Sequence, residues 1–361
     1  MKKILLIITT LLGVHNLTAQ VLYTENFDSF NWGYLGTDPT AKIPGQGGWL
    51  THSMYTQSNN FFSIVNESGK GKVLDISVPL SPDESLRAYK SNLSPLVGNR
   101  IAGNEVLKFE IDYYTGPKQP STSGPNGCHI IILKKGDPFV SYKNLVGFHF
   151  YKTNALTSGY ADTKGEVDPI LENIIPYGLG VDHYLPFNTW IKIEVYLDYG
   201  NRKVYFNIPY FNKVFSGDFL KNSTSTNLLH DFAPDTIMLG VYLDSPPNGP
   251  LGYAQNRYDN IKITALNAVP PEVIALSTTE QLAEKFNLYP NPANSVVNIT
   301  NAENMLVNQV TIYDVVGKQL SIQNYNNETD IQLNVEHLAS GTYMLHLQTN
   351  QGTAVKKLVK K

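Results

Sequence analysis

Glu110-Ile111-Asp112 is the segment best suited by residue type and spacing to do chemistry. On a strand, residues two apart project from one face, so the two carboxylates would stand together, as acid/base work on a glycosidic bond requires. A retaining hydrolase holds its two carboxyl groups about 5–5.5 Å apart. The following residues, Tyr113, Tyr114 and Thr115, supply no further acid, and the alternative is that Glu110 and Asp112 are solvated residues of an outer sheet face. Other catalytic chemistry has less support. The eight histidines include no His-Glu-x-x-His and no close pair in sequence, which argues against catalytic zinc. A Gly-x-Ser-x-Gly elbow, a P-loop and a dinucleotide fingerprint are all missing. Cys128 and His129 are neighbours, so on a strand they face opposite sides and cannot act as nucleophile and base. Binding has its own candidates: Trp32 and Tyr34 lie in a Gly-rich segment, with Trp49, His52 and Tyr55 shortly after. Flat rings displayed on loops stack on pyranose faces.

These residues must be positioned by strands. Of the 361 residues 42% are hydrophobic and 11% aromatic, while only 16% are charged, against about 25% in an average domain. Disorder and a coiled coil are excluded. The net charge is −3, and more negative without Lys2 and Lys3, so the chain does not suit a phosphate backbone. Apolar residues alternate with polar ones in Val106–Tyr114, and Ile191–Asp198 turns through Tyr199-Gly200-Asn201 into Val204–Ile208 as a hairpin. Further strands are expected at Val73–Val78, His129–Leu133, Leu145–Tyr151, Ile237–Leu243 and Tyr258–Ala265. No amphipathic helix of three turns is evident, and the class is all-β. Residues 269–284 read as a linker, and a smaller strand-rich unit fills 285–361. Lys2 and Lys3 followed by the apolar Ile4–Val14 read as a signal peptide over 1–19, too short to span a bilayer. No other segment reaches ~18 apolar residues. The one cysteine, Cys128, permits no internal disulfide and is expected to be buried.

The C-terminal unit carries Tyr289-Pro290-Asn291-Pro292-Ala293, then Val310-Thr311-Ile312-Tyr313-Asp314 with Gly317-Lys318, then Leu338-Ala339-Ser340-Gly341-Thr342-Tyr343, and a basic end Lys356-Lys357-Leu358-Val359-Lys360-Lys361. In this order the motifs resemble the C-terminal sorting domain of the type IX secretion system of Bacteroidota. The resemblance implies Sec export to the periplasm, recognition of 285–361 by an outer-membrane translocon, removal by a sortase-like peptidase, and delivery to the outer cell surface or the extracellular space.

The larger unit, 20–268, carries Glu25-Asn26-Phe27-Asp28, Gly47-Gly48-Trp49, Trp190 before Ile191–Asp198, and Tyr258-Asp259-Asn260-Ile261-Lys262-Ile263. It resembles concanavalin A-like jelly-roll sandwiches of the choice-of-anchor and cleaved-adhesin type. That fold implies that the first and last strands pair. By parity Glu25 and Asp259 would then both point inward without a nearby Lys or Arg in sequence, and a structural calcium ion would neutralise them; the alternative is that they cap backbone N–H groups. Glu110-Ile111-Asp112 also resembles the start of the catalytic strand of family-16 glucanases, whose general acid this chain lacks. Cys128-His129-Ile130 and Phe148-His149-Phe150-Tyr151-Lys152 are faint echoes of alginate lyase strands. Trp49 and Trp190 recur in this fold as core packing. The leading expectation is an exported, non-catalytic sandwich that binds carbohydrate through Trp32, Tyr34 and Trp49; the alternatives are a polysaccharide hydrolase or lyase, and an adhesin for protein partners.

Overall fold

The computed structural model describes residues 19–361 apart from 82, 120–126, 137–142, 166–169, 176–182, 245–251, 302 and 316–317. The expected signal peptide, Ala19 excepted, lies outside the described residues. Two antiparallel sheets face each other. One runs in the order β14 (Lys213–Asp218), β13 (Lys203–Ile208), β12 (Trp190–Asp198), β7 (Val106–Tyr114), β16 (Gly252–Leu266), β5 (Gly71–Ser81), β4 (Phe62–Glu67), β2 (Gly33–Tyr34), with β1 (Ala19–Glu25) also paired to β16. The other runs β11 (Leu171–Ile175), β10 (Thr157–Asp162), β9 (Asn144–Tyr151), β8 (Gly127–Lys134), β15 (Pro234–Asp244), β6 (Asp83–Lys90), β3 (Trp49–Ser53).

The alternation read from the sequence is what fills the space between them. Leu107, Phe109, Ile111 and Tyr113 of β7 meet Ile130, Ile132, Phe148 and Phe150 of β8 and β9 in one buried cluster. Cys128 lies in that core with its Sγ 3.3 Å from Tyr258 Oη, and burial pushes its thiol up to about 11. Lys152 is also fully buried and donates to the carbonyls of Gln255, at 2.8 Å, and Thr115. Burial pulls its ammonium down to about 7.

The first strand pairs with the last, Tyr23 opposite Ile263 and Glu25 opposite Ile261. β16 changes partner along its length: Gly252–Tyr258 pairs with β5 and Ile261–Leu266 with β1. At the changeover the pairing with β7 slips by one residue, from Asp259 opposite Asp112 to Lys262 opposite Glu110. Asn260 takes a left-handed φ of 49° to accommodate the extra residue.

The segment read as a linker holds a helix, Pro271–Glu284. Pro271 suits a first helical turn, where its missing N–H costs nothing. Val273 packs with Val106, Tyr196, Val214 and Leu266 on the outside of the larger sheet, whereas Leu282 and Ala283 enter the core of the C-terminal unit. Packing at both ends stabilises a segment whose apolar residues form no clear stripe. The C-terminal unit comprises a three-stranded sheet, β17 (Phe286–Tyr289), β18 (Val296–Asn301) and β21 (Ile331–Asn334), and a four-stranded one, β20 (Gln319–Glu328), β19 (Val307–Asp314), β22 (Gly341–Thr349) and β23 (Gly352–Lys360).

Candidate functional site

The outer face of the larger sheet holds the carboxylates that the sequence offered for catalysis, each matched by a cation. Glu110 lies 3.0 Å from Lys108 Nζ, 3.5 Å from Lys192 Nζ and 3.7 Å from Lys262 Nζ. Burial pushes its carboxyl up, but the hydrogen bond and charge of Lys108, with the charges of Lys192 and Lys262, outweigh that and hold it below its ordinary range. Lys108 reaches Glu194 as well, at 2.9 Å. Asp112 accepts from Lys70 Nζ at 2.8 Å and from Asn260 Nδ2 at 2.9 Å. Arg257 bridges Asp75, at 2.8 Å, and Glu67. Glu110 and Asp112 thus stand on the outer face, partly exposed and fastened in ion pairs, with Glu194 directly opposite Glu110 in the strand register. Trp190 stands on this outer face, half-buried, with Lys70 Nζ 4.4 Å from its ring centre and its indole N–H donating to Glu67 at 3.3 Å; it is not core packing.

The slip in β16 overturns the parity argument for Glu25 and Asp259, because a one-residue bulge sends the following side chains to the other face. Asp259 stands on the outer face opposite Asp112, only 2% exposed, with its carboxylate 3.7 Å from Lys70 Nζ and accepting from Asn260 Nδ2 at 3.0 Å. Glu25 stays at the inner side and accepts from the Phe27 N–H at 2.9 Å, the capping role. Neither condition for a shared calcium ion is met: the two acids do not face one another, and Lys70 supplies a countercharge. Among the described residues no group of three His, Cys, Asp or Glu side chains is placed to hold a metal. Asp259 is pushed up to about 6, first by burial and further by Asp112 and Asp28.

The aromatic candidates divide. Trp49 is 0% exposed, packed against Phe27 at 5.8 Å between ring centres, so it belongs to the core and not to a binding surface. Trp32 and Tyr34, 58% and 54% exposed, stand at the free edge of the larger sheet on either side of Gly33, whose φ of 106° favours glycine. The Gln46 side chain braces this edge, donating to the carbonyls of Asn31 at 3.0 Å and Tyr34 at 2.9 Å while accepting from the Asn31 N–H at 2.7 Å. Lys72 Nζ lies 5.0 Å from the Trp32 ring centre and donates to Phe30 O at 2.6 Å. Four strand positions separate β2 from β7, about 19 Å at ~4.8 Å per strand, so Trp32 and Glu110 are not in contact.

The outer face of the smaller sheet holds residues that the sequence reading did not join. Strand register aligns His52, Arg87, Gly240, His129, His149 and Ser158 in one row across β3, β6, β15, β8, β9 and β10. The imidazoles of His129 and His149 stack at 4.1 Å, 27° apart in plane. Burial holds both down, His149 to about 4, with the charge of Arg87 a further cause at His129, so both are neutral at pH 7. Tyr160 and Tyr151 approach His149 edge-on at 5.3 and 6.3 Å. The signal that could have found this pair is parity: each histidine sits between core-facing residues, Cys128 and Ile130 in one strand, Phe148 and Phe150 in the next.

Residues 287–361 match the family described as the secretion system C-terminal sorting domain. This region is a type IX sorting domain. Its presence directs the chain to the cell surface or extracellular space, and no helix among the described residues is long and apolar enough to cross a membrane. No curated protein matches the chain. Among solved structures, an endo-1,3-beta-glucanase from Streptomyces sioyaensis is 11% identical with a TM-score of 0.42, covering 68% of this chain and 96% of that one. The family 7 alginate lyase A1-II′ is 9% identical with a TM-score of 0.37, covering 57% and 84%. An alginate lyase from Pseudomonas aeruginosa is 10% identical with a TM-score of 0.35, covering 58% and 87%. The residues that precede the sorting domain form a sandwich of two antiparallel sheets.

Proposed function

We propose that the protein is a secreted carbohydrate-binding sandwich whose contact surface is built on Trp32 and Tyr34. One observation carries the reading: two rings, each more than half exposed, on an edge segment that Gln46 fastens at three points. Braced rings lose little freedom on binding, and stacking on a sugar buries apolar surface that folding has left in water. The sorting domain would be read by the type IX translocon and removed by a sortase-like peptidase.

Affinity electrophoresis of the purified protein through gels containing neutral and acidic polysaccharides tests this. Retardation by at least one polymer is expected, and Trp32→Ala with Tyr34→Ala should weaken it about tenfold or more without shifting the melting temperature. Retardation by a neutral polysaccharide that survives the double substitution, or binding confined to protein partners, would overturn the reading.

A further inference from the structure

The outer face of the smaller sheet has no part in the Trp32 contact, yet its polar row is not explained by folding. Arg87 is half-buried and, among the described residues, has no hydrogen bond or ion pair, whereas Lys70, Lys108 and Arg257 on the opposite face each have a carboxylate. Glu84, on the same strand as Arg87, is already committed: it accepts from the backbone N–H groups of Tyr55 and Thr56, both at 3.2 Å, and of Ser85 at 3.0 Å. His149 Nε2 is buried without a partner, a cost that an apolar residue at that position would avoid.

We propose that Arg87 and His129 form a subsite for the anionic group, carboxylate or sulfate, of an acidic saccharide. His149 is its positioning residue, stacked beneath His129. The subsite rests on the carbohydrate reading and extends it to a substrate class. Gly240 lies between Arg87 and His129 in the row, and a Cβ there would meet Leu86 O at 3.1 Å, His129 Cβ at 3.7 Å and Arg87 Cγ at 3.8 Å. The glycine thus keeps a side chain from standing between the stems of Arg87 and His129. The guanidinium supplies charge and paired donors to an oxyanion, and a neutral imidazole supplies one N–H donor. The row crosses six strands, about 24 Å at ~4.8 Å per strand, which is the length of an extended polymer and not of a free inorganic ion.

The same electrophoresis tests the subsite with named probes: polygalacturonate for carboxylate, dextran sulfate for sulfate, and neutral dextran, laminarin and xylan. Retardation by one anionic polymer is expected, and which one it is identifies the group. Arg87→Gln should weaken that binding about tenfold or more and leave neutral-polymer binding through Trp32 unchanged, while Arg87→Lys, which keeps the charge and loses the paired donors, should fall between the two. Should Arg87→Gln fail to fold, His129→Gln carries the test, with a severalfold loss expected. For the positioning role, His149→Gln should weaken anionic but not neutral binding. Anionic binding untouched by Arg87→Gln and His129→Gln, or retardation by neutral polymers alone, would overturn the subsite while leaving the Trp32 reading intact. Retardation by none of the five would overturn both.

Discussion

The two outer faces of the sandwich are built from similar alternating strands and treat their polar residues in opposite ways. On the larger sheet Glu110, Asp112, Glu194, Asp75 and Glu67 each meet Lys or Arg within hydrogen-bonding distance, all but the Lys108–Glu110 pair between segments remote in sequence. On the smaller sheet the row from Arg87 to His149 has one cation and two neutral imidazoles, with no carboxylate bound to that cation among the described residues. A charge that the fold neutralises is serving the fold. A charge left without a partner, at a desolvation cost, is the better indication of an absent ligand. The carboxylates that looked most catalytic in sequence are therefore the weaker functional candidates.

Substitution of the two arginines should show the contrast most directly. Arg257→Met strands Asp75 and Glu67 in a partly buried place, and a loss of about 2 kcal/mol is expected in urea denaturation. Arg87→Gln should change stability by less than about 0.5 kcal/mol. Equal losses would erase the distinction between the faces.

The faces should also respond to acid with opposite sign. His149, held down to about 4 in the folded protein, binds its proton more readily when unfolded, so its contribution to stability is lost as pH falls from about 6.5 to 4. Asp259, pushed up to about 6, binds its proton more readily when folded, so stability falls as pH rises from about 4 to 6. In urea titrations His149→Gln should flatten the first slope and Asp259→Asn the second, each by up to about 3 kcal/mol across its window. A slope that persists in its own variant would remove that residue from the account.

The smallest expected effect is that of calcium. With Glu25 capping Phe27 and Asp259 beside Lys70, millimolar calcium or a chelator should move the melting temperature by less than about 1 °C, since a ligand stabilises only what it binds. A rise of several degrees would restore a shared site and show that the two acids move together when the ion arrives.

Much of the architecture was legible in the residues. Alternation marked β7, β12 and β13, and apolar runs marked β5, β8, β9, β15 and β16, because the period of a half-buried strand is written directly in which side chains avoid water. Four motifs in order marked the sorting domain. The Pro271–Glu284 helix was hidden because its stability comes from Val273 and Leu282 docking on different units, which no local periodicity reports. The aromatic candidates needed the third dimension too: Trp49 and Trp32 are the same residue type in the same Gly-rich stretch, and only the packing of Phe27 separates a core ring from a displayed one.

By itself the sequence determined the strand class, the export route and the list of residues able to do chemistry, since these depend on local pattern and residue type. Tertiary structure decided which of them meet. His129 and His149 are twenty positions apart yet stack because antiparallel register places them opposite one another. Asp259 joined Asp112 rather than Glu25 because one extra residue at Asn260 reverses the face of a strand. Partnership between distant side chains depends on register, and register is settled by the packing of the whole sheet.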